Sequence, residues 1–171
     1  MSYRVPQEPS RHRVAIWREL KRAGAVSLQQ ATWALPAHAD TERAIDRVRA
    51  LVERADGEVF VFRARPIGEE VGARLEALFI EAREDEWNEF IRECDKFDAE
   101  IAKEIAKRKF TSAEVDEEEQ NLDRLRRWFR ELRARDVLGA PSAAVAEVRL
   151  KSSAERLEAY VERVFEERGG S

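Results

Sequence analysis

Cysteine occurs once in this chain, at Cys94, which excludes an internal disulfide and fits a reducing cytosol. Histidine occurs twice, as His12 and His38, and neither has a partner at ligand spacing, so no metal site is expected. No apolar run approaches the roughly 20 residues that span a bilayer. The N-terminus has no charged-then-apolar signal pattern, so nothing suggests export, and a cytoplasmic location is expected. There is no Gly-rich phosphate loop, no Ser nucleophile motif and no Cys/His pairing, so no catalytic residue and no cofactor are expected. Glycine and proline are few, at seven and five, while Ala, Glu, Arg and Leu abound, a composition that favours long helices. The 171 residues allow one domain, or a small domain with an appendage.

Charge is plentiful but unevenly placed. The whole chain has a net charge of −4, yet residues 1–65 hold 12 Lys+Arg against 8 Asp+Glu, a net of +4. The N-terminal part could therefore face a polyanion, and the remainder is a poor candidate for that.

Patterning divides the chain in the same place. Tyr3-Arg4-Val5 reads as a short strand stopped by Pro6. Ser10 is a candidate N-cap for a first helix, with Val14, Trp17, Leu20 and Gly24 as its apolar stripe. The period then drops to two: Val26 and Leu28 alternate with Ser27 and Gln29, and Trp33 and Leu35 repeat the pattern, which predicts a tight hairpin. Trp17, Leu20, Val26, Leu28 and Trp33 are expected to pack together.

Asp40 is the expected cap of a second helix, whose apolar face is Ala44, Ile45, Val48, Leu51, Val52 and Ala55. Asp56-Gly57 is a turn signal, and Glu58 to Arg65 reads as a strand with Val59 and Val61 on one side, Phe60 and Phe62 on the other. The resulting β-α-β-β-α-β order predicts a ferredoxin-like domain over residues 1–66, a four-stranded antiparallel sheet with two helices on one face.

Residues 67–171 predict an antiparallel helical bundle, so the fold class is α+β. Glu69 to about Arg83 reads as a helical run, open to continuation into the next segment, where Trp87, Phe90, Ile91, Cys94, Phe97, Ile101 and Ile105 keep helical spacing to about Lys109. Thr111-x-x-Glu114 is a capping box, and Val115, Leu122 and Phe129, with Leu125 and Leu132, form a heptad seam. Pro141 suits the first turn of the last helix, whose seam is Leu150, Ala154, Leu157, Val161 and Val164.

Cys94 falls on an apolar stripe and is expected to be a buried structural thiol. The acidic runs Glu84-Asp85-Glu86 and Asp116-Glu117-Glu118-Glu119 are expected to be solvated helix surface. The basic stripe stands out: Arg4, Arg11, Arg18, Lys21 and Arg22 crowd the first strand and helix, with Arg13 beside them. Guanidinium groups bind phosphate or another tetrahedral oxyanion through paired N–H donors. The opposing reading is an amphipathic helix whose basic face is neutralised by Glu8, Glu19 or the acidic bundle.

Tyr3-Arg4-Val5-Pro6-Gln7-Glu8-Pro9-Ser10, then Arg13-Val14, Trp17-Arg18, Leu20-Lys21, Gly24-Ala25-Val26 and Trp33-Ala34-Leu35-Pro36, closely resemble the N-terminal domain of chromate-resistance regulator proteins of the ChrB type. The likeness extends through Phe79 to Glu86, Leu125-Arg126-Arg127-Trp128 and Arg133 to Pro141. It implies a chromate-responsive regulator in a bacterial cytoplasm, acting on a chromate efflux operon. The family usually has apolar residues before its Tyr-Arg-Val-Pro string, so a stunted first strand or a start further upstream is expected. The separate C-terminal domain of the full-length regulators does not stand in this chain, and a protein carrying it is a candidate partner.

The leading expectation is a non-enzymatic regulatory module that binds promoter DNA or chromate through Arg4, Arg11, Arg18, Lys21 and Arg22, as a homodimer. An alternative is an oligomerisation or partner-docking module without a ligand of its own. A metal-dependent nuclease, by analogy to endonucleases of ferredoxin-like fold, ranks last because Tyr3-Arg4-Val5 offers no acid.

Overall fold

The computed structural model describes residues 1–169 and is α+β, mostly helical. In chain order its elements are β1 (Ser2–Arg4), α1 (Ser10–Arg22), β2 (Val26–Gln29), β3 (Thr32–Ala34), α2 (Ala39–Glu53), β4 (Glu58–Phe60), α3 (Glu69–Ala106), α4 (Ser112–Arg135) and α5 (Ser142–Gly169). They form two compact units: Met1–Ala82 with Arg135–Leu138, and Arg83–Ala134 with the chain from Gly139 onward.

In the first unit the strands form one antiparallel sheet in the order β2-β3-β1-β4. Its core joins Ile16 and Leu20 of α1, Val48 and Val52 of α2, and Ala25 and Trp33, with Tyr3, Val5, Leu35 and Val59 packed against them. The expected stripe of α1 is thus rotated. Ile16 and Leu20 face inward, whereas Trp17 is 49% exposed and Val14 is exposed as well. Gly24 is not on the stripe either. It ends the helix at φ 75°, with Ala25 N–H bonded to Leu20 O and Gly24 N–H to Lys21 O, the paired bonds of a left-handed C-terminal cap. Leu28 is exposed too, while Val26 and Trp33 are buried as expected.

Two caps differ from the expectation. Ser10 is the first residue of α1, and Pro9 precedes it with no side-chain cap. His38, not Asp40, caps α2: its Nδ1 accepts from Asp40 N–H at 3.3 Å. Asp40 instead sits in the first turn, where it pairs with Arg43. Strand β4 stops at Phe60, short of Arg65, because β1 pairs only Ser2 with Phe60, Tyr3 with Val59 and Arg4 with Glu58. A strand exists only as far as its neighbour supplies hydrogen bonds. Gly57 is needed before it: a Cβ there would stand 2.5 Å from Arg4 O and 2.6 Å from Val5 Cγ1.

The second unit is a bundle around Trp87, Phe90, Cys94, Phe97, Ile101, Leu122, Leu125, Leu132, Leu157, Tyr160 and Val164. Bonds fix the helix directions. Phe90 packs on Trp128 and Phe129 while Lys109 meets Glu114, so α3 and α4 are antiparallel. Glu84 meets Ser142, Asp98 meets Ser153 and Arg108 meets Glu167, so α3 and α5 run the same way. Thr111 Oγ1 accepts from Glu114 N–H at 3.3 Å, as the capping box predicts.

Candidate anion-binding face

Helix α1 turns about 100° per residue, so Arg11, Arg18 and Arg22 fall within about 40° of one another. Ile16 and Leu20 lie on the opposite side and are buried. The basic line therefore points away from the core because the core claims the other half of the helix. Val14 and then Lys21 stand on its flank, followed by Trp17, so the exposed indole lies next to Lys21.

The members of the stripe are not equivalent. Arg22 Nη1 donates to Glu19 Oε2 at 3.0 Å. Glu19 is itself buried and also accepts from Arg47 Nε of α2. This carboxylate, held by two guanidinium groups, ties α1 to α2. The neutralised-helix reading thus holds for Arg22. Arg11, Arg18 and Lys21 meet no acid among the described residues.

Arg4 stands apart. It alternates along β1 with Tyr3 and Val5, which pack on the core, so its side chain belongs to the opposite sheet face. On that face Arg4 lies across from Glu58, and Ser2 across from Phe60. The rings of Phe60 and Phe62 stand 6.4 Å apart and nearly parallel at 12°, with 51% and 69% of their residue surface exposed. Sequence reading found both phenylalanines; it missed Glu19 and Arg47 as a pair, which lie 28 positions apart with no local signal.

Among the described residues, no group of three or more His, Cys, Asp or Glu gathers as a metal site, and no helix is long and apolar enough to cross a membrane. Cys94 is fully buried, and burial together with nearby Asp98 pushes its thiol up to about 11. Such a thiol is unreactive at neutral pH. Two acids depart from the expected solvated surface. Glu84 accepts from the N–H and hydroxyl of Ser142 at 2.8 and 2.5 Å, so it caps the N-terminus of α5. Glu118 is buried within its acidic run, and burial, opposed by the Asn121 amide at 3.2 Å, raises its pKa.

The family model described as "Protein ChrB, N-terminal" matches residues 13–171. The chain belongs to the ChrB N-terminal family. That membership associates it with regulation of chromate resistance. No curated protein and no solved structure matches it.

Proposed function

We propose that this ChrB-family chain is a non-enzymatic module of transcriptional regulation in bacterial chromate resistance, and that it binds promoter DNA through the outward face of α1. The observation that carries this reading is the line of Arg11 and Arg18, flanked by Lys21, exposed opposite the core and unpaired with any acid among the described residues. Cations spaced along one helix face suit backbone phosphates, and Trp17 next to Lys21 supplies apolar contact. The same guanidinium pair suits a tetrahedral dianion, so chromate is the alternative ligand of this face. Arg22 orients the helix through Glu19, and Arg4 contributes from the other sheet face or not at all. The strand order β2-β3-β1-β4, with α1 and α2 sharing a core on one face, supports a ferredoxin-like arrangement for this unit. The bacterial cytoplasm, where promoter DNA is met, is its place of action, with a protein that supplies the C-terminal ChrB domain as its partner.

A gel-shift titration on the promoter of the neighbouring resistance operon tests this. Affinity should fall with rising salt, and Arg11→Glu/Arg18→Glu should weaken binding at low salt and flatten the salt slope by about 0.9 for each phosphate no longer neutralised. Calorimetric titration with chromate separates the alternative: heat on chromate addition to a protein that does not bind DNA assigns the face to the oxyanion. A parent protein that binds neither at low salt removes this reading. The docking-module reading keeps one supporting observation, the exposed Phe60 and Phe62.

A further inference from the structure

Beyond residue 65 the chain is acidic on average, but charge along α4 is segregated. Residues 112–122 hold five acids and no cation, whereas residues 123–133 hold five arginines against Asp123 and Glu131. Over the whole helix seven acids face six arginines, so its mean charge hides the basic half. Arg124, Arg127, Arg130 and Arg133 recur every three residues, are exposed, and meet no acid among the described residues. Asp123 is taken by Arg126 at 3.1 Å. On α3, by contrast, Glu93 and Glu100 stand three residues from Lys96 and Lys103 and pair with them.

Each step of three residues rises about 4.5 Å and turns back about 60°, so the four arginines form a diagonal ridge about 13.5 Å long. Arg127 and Arg130 straddle the line opposite the buried Leu122, Leu125 and Leu132, with Arg124 and Arg133 on its two flanks. Like charges at this spacing repel. The macrodipole favours cations only in the last turn, which covers Arg133 and none of the other three. Local structure thus leaves three successive repulsive pairs uncompensated, and a polyanion compensates them.

We propose that this ridge takes the phosphate backbone of duplex DNA without reading its sequence. The choice of DNA rests on the promoter-binding reading of the chain, but the residues and the unit are different. None of the exposed large hydrophobic side chains lies on α4, and Trp128 and Phe129 pack on the core. The ridge therefore lacks the buried aromatic or aliphatic anchor of a protein interface, and it has no open ring on which an unpaired base could stack. A series of guanidinium groups without such neighbours suits phosphates, which position a duplex and carry no sequence information. The bundle offers partners charge and not apolar surface.

Fluorescence anisotropy of the full chain with a labelled duplex of arbitrary sequence tests this. Binding should weaken as salt rises. Arg127→Glu/Arg130→Glu should weaken it about tenfold or more at low salt and lower the salt slope by about 0.9 for each phosphate no longer neutralised. Helical circular dichroism should stay unchanged, since both side chains are exposed. Arg127→Gln/Arg130→Gln, which also relieves the repulsion, should give a smaller loss of the same kind. Lys96→Glu/Lys151→Glu changes net charge as much as the first variant, but its cations already meet Glu93 and Glu155, so it should leave the salt slope in place. An equal loss in that control overturns the proposal, because bulk charge then explains both. So does a parent protein that fails to bind the duplex at low salt, or one whose binding is indifferent to Arg127→Glu/Arg130→Glu. Phosphatidylserine vesicles that bind the parent and not the variant, where the duplex binds neither, would assign the ridge to an anionic membrane surface and overturn it as well. Failure of the α1 reading looks different: Arg11→Glu/Arg18→Glu would then leave promoter binding intact, while the α4 variant still loses the arbitrary duplex.

Discussion

The two compact units are built by different rules, and the contrast explains where each is robust. The second unit holds its helices together with an aromatic cluster: Trp87 and Phe90 meet edge-on at 6.1 Å, and Phe90 packs on Trp128 and Phe129 at 5.3 and 5.7 Å. Its inter-helix bonds recur along the whole length of the bundle, from Glu84–Ser142 to Arg108–Glu167. The first unit has strands of three or four residues and a smaller core that rests on Ile16, Leu20, Trp33, Val48 and Val52. Its helices are tied across by one buried carboxylate, Glu19, shared by Arg22 and Arg47. A small sheet with an open face and a free edge leaves surface for partners; a filled bundle leaves little.

If that contrast holds, the largest effect belongs to the bundle. Phe90→Ala removes a ring that packs on three others, and chemical denaturation should show a loss of about 3–5 kcal/mol. A loss below about 1 kcal/mol would mean the cluster collapses around the gap and is not the keystone of the unit.

The next effect sharpens the first unit. Leu20→Ala should cost about 2–5 kcal/mol, whereas Trp17→Ala should cost under about 1 kcal/mol, because the indole is already half in water. Equal costs in the two variants would put Trp17 back into the core and reverse the orientation of α1.

The smallest effect concerns Glu118. Its folded pKa is raised by burial, so between its ordinary value of 4.5 and the raised value the folded chain holds a proton that the unfolded chain has released. Stability therefore falls as pH rises through that window and levels off above it. Glu118→Gln keeps a buried polar group without the charge. It should raise the urea midpoint at neutral pH, with the gain shrinking as pH falls toward the ordinary glutamate range. A variant less stable than the parent at neutral pH would show that the charge is well compensated.

The bundle was the legible half. Heptad spacing put Leu122, Leu125 and Leu132 inside, and Thr111 caps α4 through a bond three residues long. Periodicity and capping act within a turn or two, so a reader of the chain has all the terms. The candidate site was legible only as composition. The crowding of Arg11, Arg18 and Lys21 was visible, but the engagement of Arg22 by a buried Glu19 was not.

What the sequence determined alone is what depends on neighbours in the chain: five helical runs, the β2–β3 hairpin, the α+β class, the burial of Cys94 and the resemblance that the family match bears out. Tertiary structure alone decided the inward face of α1, the end of β4 at Phe60, the capping of α5 by Glu84 and the burial of Glu118. Each of these turns on a partner distant in sequence: the core fixes a helix's rotation, β1 fixes how far β4 can pair, and Glu84 reaches a helix end 58 positions away. Amphipathic spacing leaves a helix free to rotate by one residue at little local cost, and only the packed neighbours remove that freedom.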